Sequence, residues 1–280
     1  MSRMPHIVTA SKNIFTHWSR DCYRRARRYY QRARGLTPAL SVSRHDYDLL
    51  KLGSGYGGWT FIDSKDLSNA VVVSCGLGED ASFDIEFASQ FNSKVVIVDP
   101  TPRAIVHFNE IIENLGNPAT RAYTDSGKQP VEAYNLSMLS SRNLQLVDKA
   151  LWNESKTLSF YSPRNPNHVS HSIVNFQNDY RKDTDRIEVE AVTIDILLKQ
   201  AGIKDLPLMK LDIEGAEIEV ILDMMEKKIF PNQILVEFDE MAVPSETSKK
   251  RIESAHAALL KNGYKLINLD FPSNFLYTRF

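Results

Sequence analysis

Residues 71–102, VVVSCGLGEDASFDIEFASQFNSKVVIVDPTP, read as strand, glycine turn, helix and second strand, with an acid at the second strand's end. That order is half of a nucleotide-binding sheet. The apolar run Val71–Val73 enters a turn containing Gly76 and Gly78, where missing side chains let the backbone take positive φ or approach a ligand closely. The second strand, Val95–Val98, delivers Asp99, placed to accept hydrogen bonds from two ribose hydroxyls.

Such spacing serves NAD and S-adenosylmethionine alike. A dinucleotide fingerprint started at Gly76 needs a third small residue at position 81, which is Ala81, so the glycine form is met only approximately. Glu79 and Asp80 in the turn would repel a pyrophosphate but suit sulfonium and ammonium groups. The pair therefore disfavours a nicotinamide-dependent oxidoreductase, the alternative among enzymes. Further along, the apolar strand Leu208–Leu211 runs into Asp212, after which Ile218, Ile221, Leu222 and Met225 recur at helical spacing. In open parallel sheets ligands sit beyond the strands' carboxyl ends, so Asp99 and Asp212 are expected to face one cleft.

Six segments in consistent order then carry a resemblance: LGSGYGGW at 52–59, SCGLGEDASFD at 74–84, VDPTP at 98–102, VTIDILL at 192–198, KLDIEGAE at 210–217 and LVEF at 235–238. The chain resembles the FkbM family of S-adenosylmethionine-dependent methyltransferases from about Asp46 onward. That resemblance implies a Rossmann-like class I methyltransferase fold and S-adenosylmethionine as cofactor. It also implies O-methylation of a sugar, glycan or natural product. The expected cofactor residues are Ser74, Gly76, Gly78, Asp80, Asp99, Asp148 and Asp212. At Ser74 the chain departs from the many members that carry aspartate there. A third class of reading is a cofactor-binding but catalytically silent module.

Length and charge fit one catalytic domain, residues 37–280, behind an extension, residues 1–36. Before Gly35, nine basic residues stand against Asp21 alone, a net of about +8 that leaves the remainder at about −9. Ile14, Phe15, Trp18, Cys22, Ala26, Tyr29, Tyr30 and Ala33 recur at three- and four-residue intervals, which predicts a basic amphipathic helix. It could dock on its own domain, on a partner subunit, or peripherally on an anionic membrane. The near-neutral total gives no case for nucleic acid. A cytoplasmic location is expected, since there is neither a membrane-spanning stretch nor a secretory signal. Cys22 and Cys75 lie far apart and predict neither a disulfide framework nor a zinc site; Cys75 reads as a small residue ending a buried strand.

The alternation of strands and helices predicts an α/β three-layer sandwich, mostly parallel, with an antiparallel C-terminal edge from Lys265–Leu269 and Phe275–Phe280. Residues 37–66 read as irregular, and Leu158–Tyr161 with Ile187–Val192 as an inserted hairpin-like pair. Asp148, ending the strand Leu144–Val147, is a candidate for an adenine amino group. Tyr56 and Trp59 could cover the cofactor or pack on the sheet. Asp84 reads as an exposed or capping acid, and Glu217 as a helix-dipole residue.

Methyl transfer to a hydroxyl needs a base near the acceptor's proton. The candidates by position are Glu214, Glu237 and His171, with His168, Ser170 and Ser172 of the Pro- and Asn-rich loop as acceptor contacts. Glu237 ends an otherwise apolar strand, where an unpaired carboxylate is costly. Asp212, Glu214, Glu237 and a histidine could also hold a divalent metal, which the spacing does not establish. The acceptor is expected to be a small molecule or glycan.

Overall fold

The computed structural model describes residues 35–162, 172–173, 183–242, 244–270 and 273–280. The basic helix expected before Gly35 and the histidine-bearing loop with His168, Ser170 and His171 lie outside the described residues.

The chain opens with a short hairpin, β1 (Leu49–Leu52) and β2 (Trp59–Ile62), paired antiparallel from Leu49 opposite Ile62 to Leu52 opposite Trp59. This corrects the expectation of an irregular segment. Two four-residue strands around a glycine-rich loop give too brief an alternation to read, and burial of Trp59, Phe61 and Ile62 supplies the order. The elements then run β3 (Val71–Cys75), α1 (Ser82–Phe91), β4 (Lys94–Val98), α2 (Pro102–Glu113), β5 (Leu144–Val147), β6 (Ala150–Leu151), β7 (Thr157–Tyr161), β8 (Arg186–Val192), α3 (Ile194–Ala201), β9 (Leu208–Leu211), α4 (Glu217–Glu226), β10 (Gln233–Glu237), α5 (Glu246–Lys261), β11 (Lys265–Asp270) and β12 (Asn274–Thr278).

Among the described residues seven strands form one sheet in the order β11-β12-β10-β9-β3-β4-β5. Its parallel strands VVVSC, KVVIV and LMKL are buried almost throughout, as strands covered on both faces must be. Alternate residues divide between two cores. Val72, Val95 and Ile97 pack with Phe83, Phe87, Phe91 and Phe108 from α1 and α2. Val73, Cys75, Val96 and Val98 pack with Ile194, Leu197, Ile218, Ile221, Ile252 and Leu259 from α3, α4 and α5. Helices therefore cover both faces, and coverage changes side between β3 and β9, where crossovers leave in opposite directions.

The antiparallel element differs in detail from a simple edge. β12 inserts between β10 and β11 and runs antiparallel to both, so β11 is the outermost strand. β7 and β8 pair antiparallel as a separate small sheet with β6. Buried Gln233 ties the hairpin to the sheet: its Oε1 accepts from Ile62 N at 2.7 Å and its Nε2 donates to Ile62 O at 2.9 Å. The amide satisfies both backbone groups of one β2 residue and anchors the hairpin's open end at the sheet's amino end, while its glycine loop lies at the cleft beyond the carboxyl end.

Candidate active site

A cleft of about 470 Å³ opens beyond the carboxyl ends of β3, β4, β9 and β10, a size that suits a small-molecule ligand. Gly76, Gly78, Asp80 and Asp99 line one side, and Asp212, Glu214 and Glu237 the other. The two sides touch at Gly76. A Cβ there would lie 1.7 Å from the Asp212 carbonyl oxygen, so only glycine, with its φ of 88°, lets the turn after β3 meet the loop after β9.

Asp99 shapes the turn. Its Oδ2 accepts from Leu77 N at 2.9 Å and Gly78 N at 3.0 Å, and its Oδ1 from Thr101 N at 2.8 Å and Thr101 Oγ1 at 2.7 Å. These four bonds occupy the carboxylate's acceptor sites, so the chain itself uses the acid that the sequence offers to a ribose. Gly76 N is spent on Val98 O and Asp80 N on Leu77 O. With its amides bonded internally, the turn has few left to cradle a pyrophosphate.

Asp80 binds three segments together. Its Oδ2 accepts from Ser54 Oγ at 2.7 Å and Gln129 Nε2 at 3.1 Å, and its Oδ1 from Ser82 N at 3.0 Å. A Cβ at Gly57 would fall 2.7 Å from the Asp80 carboxyl carbon, which accounts for glycine in the loop that lies on it. Glu79 pairs with Lys128 at 2.7 Å and Arg103 at 3.4 Å. Its charge is thus compensated within the chain, and the exclusion of pyrophosphate passes from Glu79 and Asp80 to the turn's occupied amides. Both aromatic residues of this segment line the cleft, Trp59 buried with the core and Tyr56 64% exposed.

Lys210 lies at the floor, 4% exposed, in the middle of β9. Its Nζ donates to Gly76 O at 2.5 Å, lies 3.5 Å from Asp212 Oδ2 and 5.5 Å from the Trp59 ring centroid. Burial opposes its charge, but Asp212 and Asp84 more than offset this and its pKa is raised. Asp84, expected to be exposed or capping, is buried at 1% exposure and lines the cleft. The helix that carries it is covered on nearly every side, so the acid has no outward face to take.

On the opposite side Glu214 has φ of +53°, unusual for a side-chain-bearing residue, followed by Gly215 at +98°. Ser172 Oγ donates to the Glu214 carbonyl at 2.7 Å and braces this turn. Buried Glu217, expected to serve the helix dipole, accepts from Ile213 N at 2.7 Å and Gly215 N at 3.0 Å, and so closes the turn with its own side chain. Glu237 Oε1 accepts from Ser273 Oγ at 2.6 Å. Burial, then Asp212, raise its pKa to about 7. Asp239, behind it, is raised by burial and by Glu217, Glu214, Glu237 and Asp212.

These raised acids have a consequence for stability. Unfolded, they ionise near the ordinary carboxylate range. Folded, Glu237, Glu217, Asp239 and Asp84 keep their protons to higher pH. Their contribution is therefore fully present at acid pH and is lost as pH rises through the folded values. The thermal midpoint of the ligand-free protein is expected to fall between roughly pH 5 and pH 8. Scanning calorimetry across that interval checks it; a midpoint that rises would contradict the acid cluster.

Of the residues singled out in the sequence, Gly76, Gly78, Asp80, Asp99, Asp212, Glu214 and Glu237 line the cleft. Ser74 lies within the sheet at 1% exposure and Ser172 behind the Glu214 turn; neither lines it. Asp148 is exposed and away from the lining. Lys210 was not marked as functional, although a lysine inside LMKL signals a buried charge that needs partners. Cys75 is buried, and burial pushes its thiol pKa up, away from nucleophilic use. Among the described residues no group of three or more His, Cys, Asp or Glu side chains is arranged to hold a metal ion. No described helix is long and apolar enough to cross a membrane.

The charge of the lining is lopsided. With Glu79 paired to Lys128 and Arg103, Asp80, Asp84 and Asp99 on the glycine-turn side and Asp212, Glu214, Glu237 and Asp270 on the other face only Lys51 and Lys210 within the lining. The family model described as the methyltransferase FkbM domain matches residues 69–266. No curated protein matches the chain.

Proposed function

The chain belongs to the FkbM methyltransferase domain family, and on that premise we propose that it is an S-adenosylmethionine-dependent O-methyltransferase acting on a hydroxyl of a sugar, glycan or natural product. The observation that carries the donor assignment is the acidic lining, which favours a ligand bearing sulfonium and ammonium groups. The turn amides already bonded to Asp99 and Val98 weigh against the pyrophosphate of a nicotinamide cofactor. The strand order β11-β12-β10-β9-β3-β4-β5 with helices on both faces supports a three-layer class I arrangement.

The cleft fits the cofactor in volume and in charge, and Asp84 Oδ1 within its lining is buried without a hydrogen-bond partner. When bound, S-adenosylmethionine supplies a methyl group activated by positive sulfur. The residues of the chain then have three tasks. The turn from Gly76 to Asp80, fixed by Asp99, holds one end of the donor. Tyr56, open at the rim, limits access of water. Glu237, held through Oε1 by Ser273, takes the acceptor hydroxyl's proton on Oε2, and its pKa of about 7 suits a base that must be ionised near neutral pH. Glu214 and Asp212 orient the acceptor beside it. The extension before residue 37 is assigned the role of a docking element for this domain, a partner or an anionic surface.

Titration calorimetry tests the donor. Saturable binding of S-adenosylmethionine and S-adenosylhomocysteine is expected, with no heat from NAD. Preference for NAD would overturn the reading.

A further inference from the structure

We propose that Asp84 is the carboxylate that receives the ammonium group of the donor's amino-acid end. The inference rests on the donor assignment above and follows from which acids on the glycine-turn side still have an oxygen to offer.

Asp99 is engaged at both oxygens by Leu77, Gly78 and Thr101. Asp80 is engaged at both by Ser54, Gln129 and Ser82. Glu79 is engaged by Lys128 and Arg103. Asp84 is the exception. Its Oδ1 is buried without a partner although the residue lines the cleft, and Ser74 Oγ nearby in the sheet is also buried and unpartnered. An orphaned carboxylate oxygen in a 1%-exposed residue is costly unless something donates to it.

The donor must enter from the cleft, since α1 is otherwise packed in the core. Lys210 does not discharge the role: its Nζ is directed to Gly76 O and Asp212 Oδ2. Burial raises the pKa of Asp84 despite Lys210 and the Ser74 hydroxyl, which both act to lower it, so its negative charge is under-compensated in the ligand-free protein. An arriving ammonium supplies both the missing hydrogen bond and the missing charge.

The test compares S-adenosylhomocysteine with its analogue lacking the α-amino group, by calorimetry on the full chain and on Asp84→Asn and Asp84→Ser. The wild type is expected to prefer S-adenosylhomocysteine by about tenfold or more, the worth of one charge-assisted hydrogen bond. Asp84→Asn should lose about that factor for S-adenosylhomocysteine and less than about threefold for the analogue. Equal affinities in the wild type, or equal losses for both ligands in either variant, would overturn the inference while leaving the donor assignment intact. Absence of any S-adenosylhomocysteine binding to the wild type would instead remove the donor assignment. Should both variants fail to fold, equal affinities in the wild type still overturn the inference.

Discussion

Glu237→Gln is expected to lower turnover by roughly 10²–10⁴-fold while changing S-adenosylmethionine affinity little. The amide keeps the shape of the side chain and can still accept from Ser273 Oγ through its own oxygen, so the site should not collapse. What it loses is the ability to take a proton. In the parent enzyme the base must be ionised, so activity at low pH is limited by its protonated form and should rise through about pH 7 to a plateau. The variant's residual rate should lack that rising limb. A radiolabel methyl-transfer assay over a panel of neutral sugars, run across pH with the first acceptor found, makes the measurement. The variant should also be more stable than its parent at pH 8 and nearly equal at pH 5, because a neutral amide need not ionise in a buried position. Near-normal turnover in Glu237→Gln with an unchanged profile would transfer the role to Glu214 or to His171.

Much of the sheet was legible because burial on both faces writes parallel strands as unbroken apolar runs. VVV, VVIV, LM and ILV are such runs, and the acids that follow three of them, Asp99, Asp212 and Glu237, line the cleft. Asp99, Asp212 and Glu237 were found in this way. What the sequence cannot express is competition for a carboxylate. Asp99 has the position of a ribose ligand, yet the same position places it under two amides of the turn, and the nearer donors take it. Glu79 and Asp80 look like bare charge in a string of letters; their partners Lys128 and Gln129 come from nearly fifty residues away. Asp84 misled for a different reason. Helix periodicity assigns acids to an outer face, and α1 has almost none, since β1, β2 and the Phe61 ring cover what would be its solvent side. An acid in SFDIEF, with apolar residues on either side, was the available sign.

The second large effect concerns Asp99 and separates two roles that the sequence merges. Were it only a ribose ligand, Asp99→Ala would weaken cofactor binding and leave the fold alone. The structure makes it the keystone of the turn: removing the carboxylate strands Leu77 N, Gly78 N and Thr101 N in a site that is 6% exposed. Bonds to a charged acceptor contribute more than neutral ones, and buried donors without partners carry a desolvation cost. Asp99→Ala is therefore expected to lose about 3–4 kcal/mol of stability as well as at least tenfold in affinity for S-adenosylhomocysteine. Asp99→Asn should fall between, because its single carbonyl oxygen can serve either the turn amides or Thr101 but not both pairs at once. Thr101→Val deletes one of the four bonds and leaves the turn amides satisfied, so it should cost about 1 kcal/mol and spare most of the affinity. Urea denaturation and calorimetry on the three variants distinguish the cases. An Asp99→Ala protein as stable as its parent but unable to bind would return this acid to the ribose alone, and the turn would then have to be held by Gly76 and Lys210.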